Sequence, residues 1–569
     1  MASIRKSCDQ RFAVLKTERS YFEDYWRELS KYYALFLARF TAQERYRGHK
    51  ANIHILNNSA LVYKRRLGAA LSAYITSPER PWFRLAMTDK DLMEFGPVKI
   101  WLEDSERAIY HILARSNFYP SMPSMYEDMA VYGQAPMLAW DHMENIVHFE
   151  QCVMGEYYLG AGDDGRINTL YREFDLTVHQ CVQRFGESAV SDHVRNLMKN
   201  NSLDKRITVV HAIEPNDDRI PGATDNRNMP WRSVYYEAGG ESDKYLEYSG
   251  MRENPILCAR WHQTGIDPYA TSCPGMDALG DQKQLQVQEK ETSKNLNKVG
   301  NPLLQGPTTV VNRLNAGAMR GGHIIAYDPL GAGDGGSIKP VFEINPYLQE
   351  FMMANQELEA RIAKAFYQDL LLVLHQNVQR QKTATEVSGL RDEGLIVFGP
   401  MLTRMISEFL DPLIDRVFAL AVEASRAAWA GANVPAILPK PPPELAGISM
   451  EVEYISLLAQ AQKSVGLSSL ERTTAFIGDL AQRTGNITIL DKIDLDQTID
   501  EYAAMSGVSP RVIRTDDDVA QIRKQRAEAE QMQNAMNTAQ QGADIANKLA
   551  DASTEGPNAL TALAGGAAA

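Results

Sequence analysis

MDALGDQKQLQVQEKETSKNLNKV, residues 276–299, is followed by the Gly- and Pro-rich stretch GNPLLQGPTTVVNRLNAGAMRGGHIIAYDPLGAGDGGSIKPVFE (300–343) and then by YLQEFMMANQELEARIAKAFYQDLLLVL (347–374). The first segment balances four acids (Asp277, Asp281, Glu289, Glu291) with four lysines (Lys283, Lys290, Lys294, Lys298) and has no proline or β-branched run. It predicts an exposed helix of about 35 Å, at a rise of 1.5 Å per residue. The middle stretch reads as a compact β-rich excursion with strands at Thr308 to Val311 and His323 to Tyr327. In the third segment Leu348, Phe351, Leu358, Ile362, Phe366 and Leu370 recur at helical spacing and predict a second long helix, Tyr347 to Leu374. The order is long helix, β insert, long helix.

Upstream, Phe12, Leu15, Arg19, Phe22, Trp26, Leu29, Tyr33 and Phe36 alternate at intervals of three and four. They predict one amphipathic packing helix with Arg19 at the margin of its stripe. A second helix is expected from Ile55 to Tyr74, stopping before Ser77-Pro78. From Pro81 to Gly275 the texture is mixed. Strands are expected at Met137 to Trp140, Ile146 to Phe149, Val153 to Leu159, Thr169 to Leu176, Thr208 to Ile213 and Arg232 to Tyr236, with helices at Val98 to Ser116 and Thr177 to Arg184. This is an α+β region with an antiparallel tendency.

Downstream, Gln376 to Arg391 reads as a polar loop and Pro400 to Trp429 as a helix with Leu402, Ile406, Phe409, Leu413, Val417 and Leu420 on one stripe. Pro439 to Pro443 is a turn, Met450 to Ile455 alternates like a strand, and helices follow. From Val519 the chain changes in kind. Met532, Met536, Ala539, Ala543, Ala546 and Ala550 keep a four-three repeat of small or flexible residues, suited to close packing against copies of itself. Alone, so weak a stripe is marginal.

The 569 residues are 44% hydrophobic and 23% charged, with 59 Lys+Arg against 72 Asp+Glu and a formal net charge of −13. That is ordinary globular composition, and an acidic excess disfavours tight adhesion to phosphate backbones. No apolar run reaches the length of a membrane span, and Met1 to Arg11 has no signal-peptide core, so a soluble protein of the reducing cytoplasm is expected. Cys8, Cys152, Cys181, Cys258 and Cys273 are odd in number and widely spaced, which argues against a disulfide framework and a zinc site.

Motifs for chemistry fail one by one. Gly160 to Gly165 matches GxGxxG, but Arg166 to Leu176 alternates like a strand where a dinucleotide fold needs a helix, so a hairpin turn is expected. Gly331 to Gly336 is a glycine-rich turn, and Gly-Lys occurs nowhere, so there is no Walker A loop. Asp491, Asp494, Asp496 and Asp500 lack the glycine and final glutamate of a calcium loop and read as helix caps. His142, His148 and His375 read as isolated core or surface residues. No nucleophile elbow, zinc helix or kinase motif occurs, and neither an enzyme nor a cofactor is expected.

Ser77 to Phe83 (SPERPWF), Tyr126 to Gly133 (YEDMAVYG), Ser272 to Leu279 (SCPGMDAL), Thr383 to Val387 (TATEV), Gly399-Pro400 and Leu410 to Phe418 (LDPLIDRVF) together resemble the head-to-tail connector, or portal, proteins of short-tailed bacteriophages. The likeness returns near Ile493 to Asp496 and Gly507 to Arg514 and covers the chain to about Arg526. The resemblance implies a predominantly helical α+β portal fold that closes into a ring, usually of twelve subunits, at one capsid vertex of the virion. Through it a separate terminase pumps DNA in, and DNA later leaves. The implied parts are N-terminal helices and wing (1–275), first stem helix (276–299), clip (300–343), second stem helix (344–375), channel loop (376–398), wing helix and strand (399–460), crown helices (461–530) and a helical tail or barrel (531–569).

In that frame Gln379, Arg380, Gln381, Lys382 and Arg391 are candidates for weak, base-independent phosphate contacts with double-stranded DNA; the alternative is a solvated loop that never meets DNA. Lys290, Lys294 and Lys298 either face the channel or pair with acids of the neighbouring subunit. In the clip, Arg313, Arg320, His323, Asp328, Asp334 and Lys339 are candidates for docking terminase and, afterwards, tail or adaptor proteins. Major capsid and scaffolding proteins are further implied partners. The competing reading is another virion structural protein, a tail or scaffold component without a DNA channel.

Overall fold

The structure is a computed structural model that describes residues 4–34, 39–40, 55–87, 89, 95–220, 222–223, 225–240, 244–308, 324–327, 338–340, 348–369, 398–432, 435–445, 450–454, 473–477, 479–480, 483, 494, 496–499, 502 and 516–550. The chain divides into two compact units, Met1–Thr88 with Ile100–Gly466, and Asp89–Lys99 with Leu467–Ala569.

In the larger unit the expected amphipathic helix is α1, Ile4–Tyr33, followed by α2, Ser59–Ile75. Strand β1 (Phe83–Met87) leads to α3 (Gly96–Arg115) and α4 (Phe118–Tyr132). The hairpin β2 (Met137–His142) and β3 (Ile146–Gln151) precedes β4 (Tyr157–Ala161) and β5 (Ile167–Thr177). Helices α5 (Val178–Phe185) and α6 (Asp192–Lys199) come next, then β6 (Arg206–Pro215), β7 (Trp231–Glu237), β8 (Glu247–Met251) and the short β9 (Ile256–Leu257). The strand expected from Val153 starts only at Tyr157, because Glu156 N–H closes a turn onto Val153 O at 3.1 Å.

Strands β4 to β8 form an antiparallel five-stranded meander in sequence order. Its period-two alternation covers both faces. Val210, Ala212, Val234 and Tyr236 meet Cys8, Phe12 and Leu15 of α1, while Val209 and Tyr235 meet Val178, Cys181 and Val194 of α5 and α6. Thr177 starts α5 with a capping box, exchanging hydrogen bonds with Gln180. The GxGxxG segment is the β4–β5 hairpin turn, with Gly162 N–H on Arg166 O at 2.8 Å.

Arg19 departs from expectation: it is buried inside the stripe of α1, not at its margin. Its Nη1 donates to Gly155 O (2.8 Å) and Tyr157 O (3.0 Å), its Nε donates to Glu23 (2.8 Å), and the guanidinium lies 3.7 Å over the Tyr158 ring. A buried cation is tolerated here because every lobe has a partner. All five cysteines are buried free thiols. Burial pushes Cys8, Cys152 and Cys273 up to about 12, which keeps them protonated and unreactive.

Two segments quoted above for the resemblance pack on one another. Gly133 ends α4 at φ 81°, and a side chain there would come within 2.5 Å of the Ala270 methyl; at Gly275 it would come within 2.8 Å of Val131 Cα. Cys273 Sγ donates to Val131 O at 3.1 Å across the same contact. In SPERPWF, the Trp82 and Phe83 amides both donate to Tyr110 Oη (2.8 and 2.9 Å), which donates to Phe83 O (2.8 Å). These contacts fix β1.

After a single turn at Pro274–Asp277 the long helix α7 runs Leu279–Gly300. Strands β10 (Leu304–Pro307), β11 (Ile324–Tyr327) and β12 (Lys339–Pro340) form one small sheet with β10 in the centre, parallel to β11 and antiparallel to β12. Strand β10 ends at Pro307, whose ring nitrogen has no hydrogen to continue a ladder; of the strand expected at Thr308 to Val311, Thr308 is outside the ladder and residues 309–311 lie outside the described residues. Helix α8 is Leu348–Ala365; the expected run to Leu374 is interrupted at Phe366-Tyr367, and residues 370–374 lie outside the described residues. It breaks because Tyr367 adopts φ 56°, a conformation costing about 1–3 kcal/mol, with its ring between Trp261 (6.0 Å) and Phe398 (4.7 Å).

The helix expected from Pro400 to Trp429 is also interrupted. Residues Ile406–Leu410 form a π turn ahead of α9, Asp411–Trp429. Pro412 explains it: a proline has no N–H for the carbonyl four residues back and its ring collides with that carbonyl, so the backbone widens and Asp411 N–H bonds Ile406 O instead. Strand β13, Met450–Tyr454, returns to pair antiparallel with β1, Phe83 opposite Tyr454.

In the smaller unit Asp494 Oδ1 accepts from Asp496 N (3.1 Å) and Gln497 N (3.2 Å), the capping role expected of that cluster, while Asp491 and Asp500 lie outside the described residues. Arg523 chelates Asp496 at 2.7 and 2.8 Å, from within α10, the helix Asp516–Ala550. Met532 and Met536 are 73% and 71% exposed on it.

Asp128, in α4, accepts from Gln151 Nε2 at 2.7 Å, and burial raises its carboxyl to about 6 against the opposing pull of Lys64. The folded protein therefore holds a proton between about pH 4 and 6 that the unfolded chain has lost, and stability contributed at this site falls as pH rises through 6. Asp128→Asn is predicted to stabilise by about 1–2 kcal/mol at pH 7.5 and by little at pH 4, read from urea midpoints. Equal effects at both pH values would contradict this.

Candidate channel and docking elements

Helices α7 and α8 run side by side in opposite directions. Asp281, in the first turn of α7, meets Arg361 near the end of α8 at 3.6 Å. Leu285, Leu358 and Ile362 supply a narrow apolar seam, but the same interior holds Gln282, Thr292 and Asn355. The Gln282 amide, Thr292 Oγ1 and Asn355 Oδ1 make no hydrogen bond among the described residues. This is a weakly glued helix pair compared with the aromatic body.

A short segment ahead of α2 supplies a cluster of bonds from the body to the pair. Gln286 Oε1 accepts from the Leu56 and Asn57 amides (2.6 and 2.9 Å), and Gln286 Nε2 donates to Asn57 O (3.1 Å). Asn57 Nδ2 donates to Glu289 of α7 (3.3 Å) and to Glu359 of α8 (2.6 Å), so a single amide bridges the two helices. Ser59 Oγ adds a bond to Glu359 at 3.1 Å, and Lys283 pairs with Glu28 of α1. Asn57 escaped notice in the sequence. Only the Asn57-Asn58-Ser59 helix-start signature marked the place, and nothing in it named Glu289 or Glu359.

The candidate residues fall in three groups. Lys290, Lys294 and Lys298 lie exposed along α7. Lys294 binds Glu291 of its own helix at 2.6 Å, and that hydrogen bond holds the Glu291 carboxyl below its ordinary value. Lys339 stands in β12 opposite Gln305. Arg313, Arg320, His323, Asp328 and Asp334, and the loop candidates Gln379, Arg380, Gln381, Lys382 and Arg391, lie outside the described residues.

A groove of about 780 Å³ opens elsewhere, between α3, the β2–β3 turn and α9, lined by residues including Arg107, His111, Asp141, His142 and Glu423. His142 is occupied in that turn, its Nδ1 accepting from Glu144 N and Asn145 N (3.3 and 3.2 Å). Among the described residues the lining has no Ser, Cys, Thr, Tyr or Lys nucleophile. Among the described residues no group of three or more His, Cys, Asp or Glu is placed to hold a metal ion, and no helix is long and apolar enough to cross a membrane.

Residues 5–513 match the family model described as bacteriophage head to tail connecting protein, and the chain belongs to that family. It is 38% identical over 560 residues to the portal protein of Salmonella phage epsilon15, covering 98% of both chains. It is 39% identical over 558 residues to the probable portal protein of Bordetella phage BPP-1, covering 98% of this chain and 97% of that one. Among solved structures, a chain from the neck of an empty GTA particle matches at 11% identity and a TM-score of 0.33, over 74% of this chain and 86% of that one.

Replacing Asn57 removes the donor between two carboxylates. Asn57→Ala is predicted to cost about 1.5–3 kcal/mol at pH 7, and Asn57→Asp more, because it sets a third carboxylate beside Glu289 and Glu359. Thermal melts at pH 7 and pH 4 check this. The excess penalty of the aspartate should vanish at pH 4; an aspartate as stable as wild type at pH 7 would contradict the bridge.

Proposed function

We propose that this chain is a phage portal protein. Its copies close into a ring at the virion head-tail junction, pass double-stranded DNA through a central channel during packaging and ejection, and perform no catalysis. The observation that carries the reading is the near-full-length likeness to portal proteins, 98% of the chain in each case. The small sheet set between two long antiparallel helices agrees with a stem and clip.

The surface of the helix pair supports assembly. Val287, Leu296, Val299, Phe351, Met352 and Met353 are 38–68% exposed while Gln282 and Thr292 are buried, an inverted distribution for helices that stay in water. Neighbouring copies would cover the apolar positions. Exposed Lys290 and Lys298 on α7 and exposed Glu350 and Glu357 on α8 offer opposite charge to a heterologous, head-to-tail contact. A net charge of −13 per copy, multiplied around a ring, repels phosphate and keeps DNA moving instead of bound. The loop cations Arg380 and Lys382 would give weak, repeated phosphate contacts. The helical tail from residue 531 would pack against its counterparts in other copies.

The clip, 300–343, is the proposed docking surface for terminase and then for tail or adaptor proteins, in sequence and exclusively. Replacing residues 301–340 by a short Gly-Ser linker should leave ring formation intact and abolish capture of both the cognate terminase and the tail adaptor. Retained terminase capture by the deleted ring would refute the assignment.

A further inference from the structure

Two irregular turns meet at one dipeptide. Trp261, 9% exposed, stacks on Tyr367, the residue at φ 56° that breaks the second long helix. Its neighbour Arg260, 1% exposed, holds Glu408, the central residue of the π turn. Arg260 N and Nε donate to Glu408 Oε2 (both 3.1 Å), and Arg260 Nη2 donates to Oε1 (2.8 Å). The remaining donors go to Asp267 O (2.9 Å) and Gly165 O (2.7 Å), and Trp261 N–H goes to Gly133 O (2.7 Å). The dipeptide is thereby fixed to the β4–β5 hairpin and to the end of α4.

The turn at Tyr367 opposes a local preference, and the π turn that Pro412 induces is clasped from outside its own helix. The apolar spacing of α8 continues through Phe366, Phe366 and Tyr367 form a turn with Tyr367 at positive φ, and helical backbone resumes at Gln368. A tyrosine with positive φ persists when surrounding contacts over-determine it, and here those contacts are the Trp261 and Phe398 rings. The π turn likewise holds one residue more than an α-helical turn, with the Glu408 carboxylate tied to the body by three bonds. An anchor bonded to two irregular turns at once gives a physical path by which a change at one reaches the other.

From this geometry we infer that Arg260-Trp261 is a coupling node: it holds the break in the second long helix and the π turn ahead of α9 in one joint state, so that releasing either turn releases the other. A displacement of α8 is thereby passed to α9. The inference rests on contacts within one chain and needs neither ring nor DNA, so its failure would leave the proposed function standing.

Hydrogen–deuterium exchange of the full-length protein tests it. Glu408→Gln keeps the shape and weakens the clasp, and is expected to speed amide exchange at least about tenfold in both 404–410 and 362–369, though Glu408 itself is bonded to Arg260 and not to Tyr367. Trp261→Leu is expected to do the same from the other side, whereas Trp261→Phe, which keeps a ring against Tyr367, is expected to retain native exchange in both segments. Acceleration confined to the segment nearest each substitution would overturn the coupling. Should Glu408→Gln fail to fold by circular dichroism, the contrast between Trp261→Leu and Trp261→Phe decides the same question.

Discussion

Two long helices are tied to the body by a few polar bonds around Asn57 and Gln286, and the rest of the arrangement depends on that tie. Asn57 reaches Glu289 on one helix and Glu359 on the other, so it sets their spacing as well as their attachment. Among the described residues the pair buries few apolar side chains, Leu279, Leu285, Leu358 and Ile362, and it buries Thr292 and Asn355 as well. A pair built this way is poorly supported by its own chain. Its exposed Phe351, Met352, Met353 and Leu296 are the positions that neighbouring copies would cover in the proposed ring.

The body is constructed on the opposite principle. Its five-stranded sheet is covered on both faces, and three of its buried arginines are tied into the surrounding chain: Arg19 to two carbonyls and Glu23, Arg260 to Glu408 and two carbonyls, Arg232 to Glu214 at 2.8 Å. Breaking such a cation away from its partners costs about 3–5 kcal/mol, so these sites act as rivets and keep the sheet, the loops and the π turn in one arrangement. A rigid body with a lightly held helix pair suits the proposed conduit, in which the wall beside a moving polyanion would yield while the frame stays.

Much of this was legible in the sequence where period decided the outcome. The three-four spacing of Phe12 to Tyr33 gave α1, the alternation of Thr208 to Ile213 gave β6, and the strand after Gly165 exposed the GxGxxG stretch as a hairpin. What stayed hidden was set by tertiary contact. Nothing local in Tyr367 announces a positive φ, which comes from rings at positions 261 and 398. Arg19 looked marginal because its partners, the carbonyls of Gly155 and Tyr157, lie far along the chain. Asn57 was invisible for the same reason. The π turn could have been read from Pro412 inside a helical stripe, since a proline there must displace a hydrogen bond.

In the proposed assembly copies of this chain close around a channel walled by the α7–α8 pair. Electron microscopy of the purified full-length protein, averaged down the particle axis and carried to a resolution that places helices, decides this. Closed rings, twelve-fold or near it, are expected, with a central hole and with α7 and α8 lining it. A monomer at high concentration, or a ring with this helix pair on its outer rim, would contradict it.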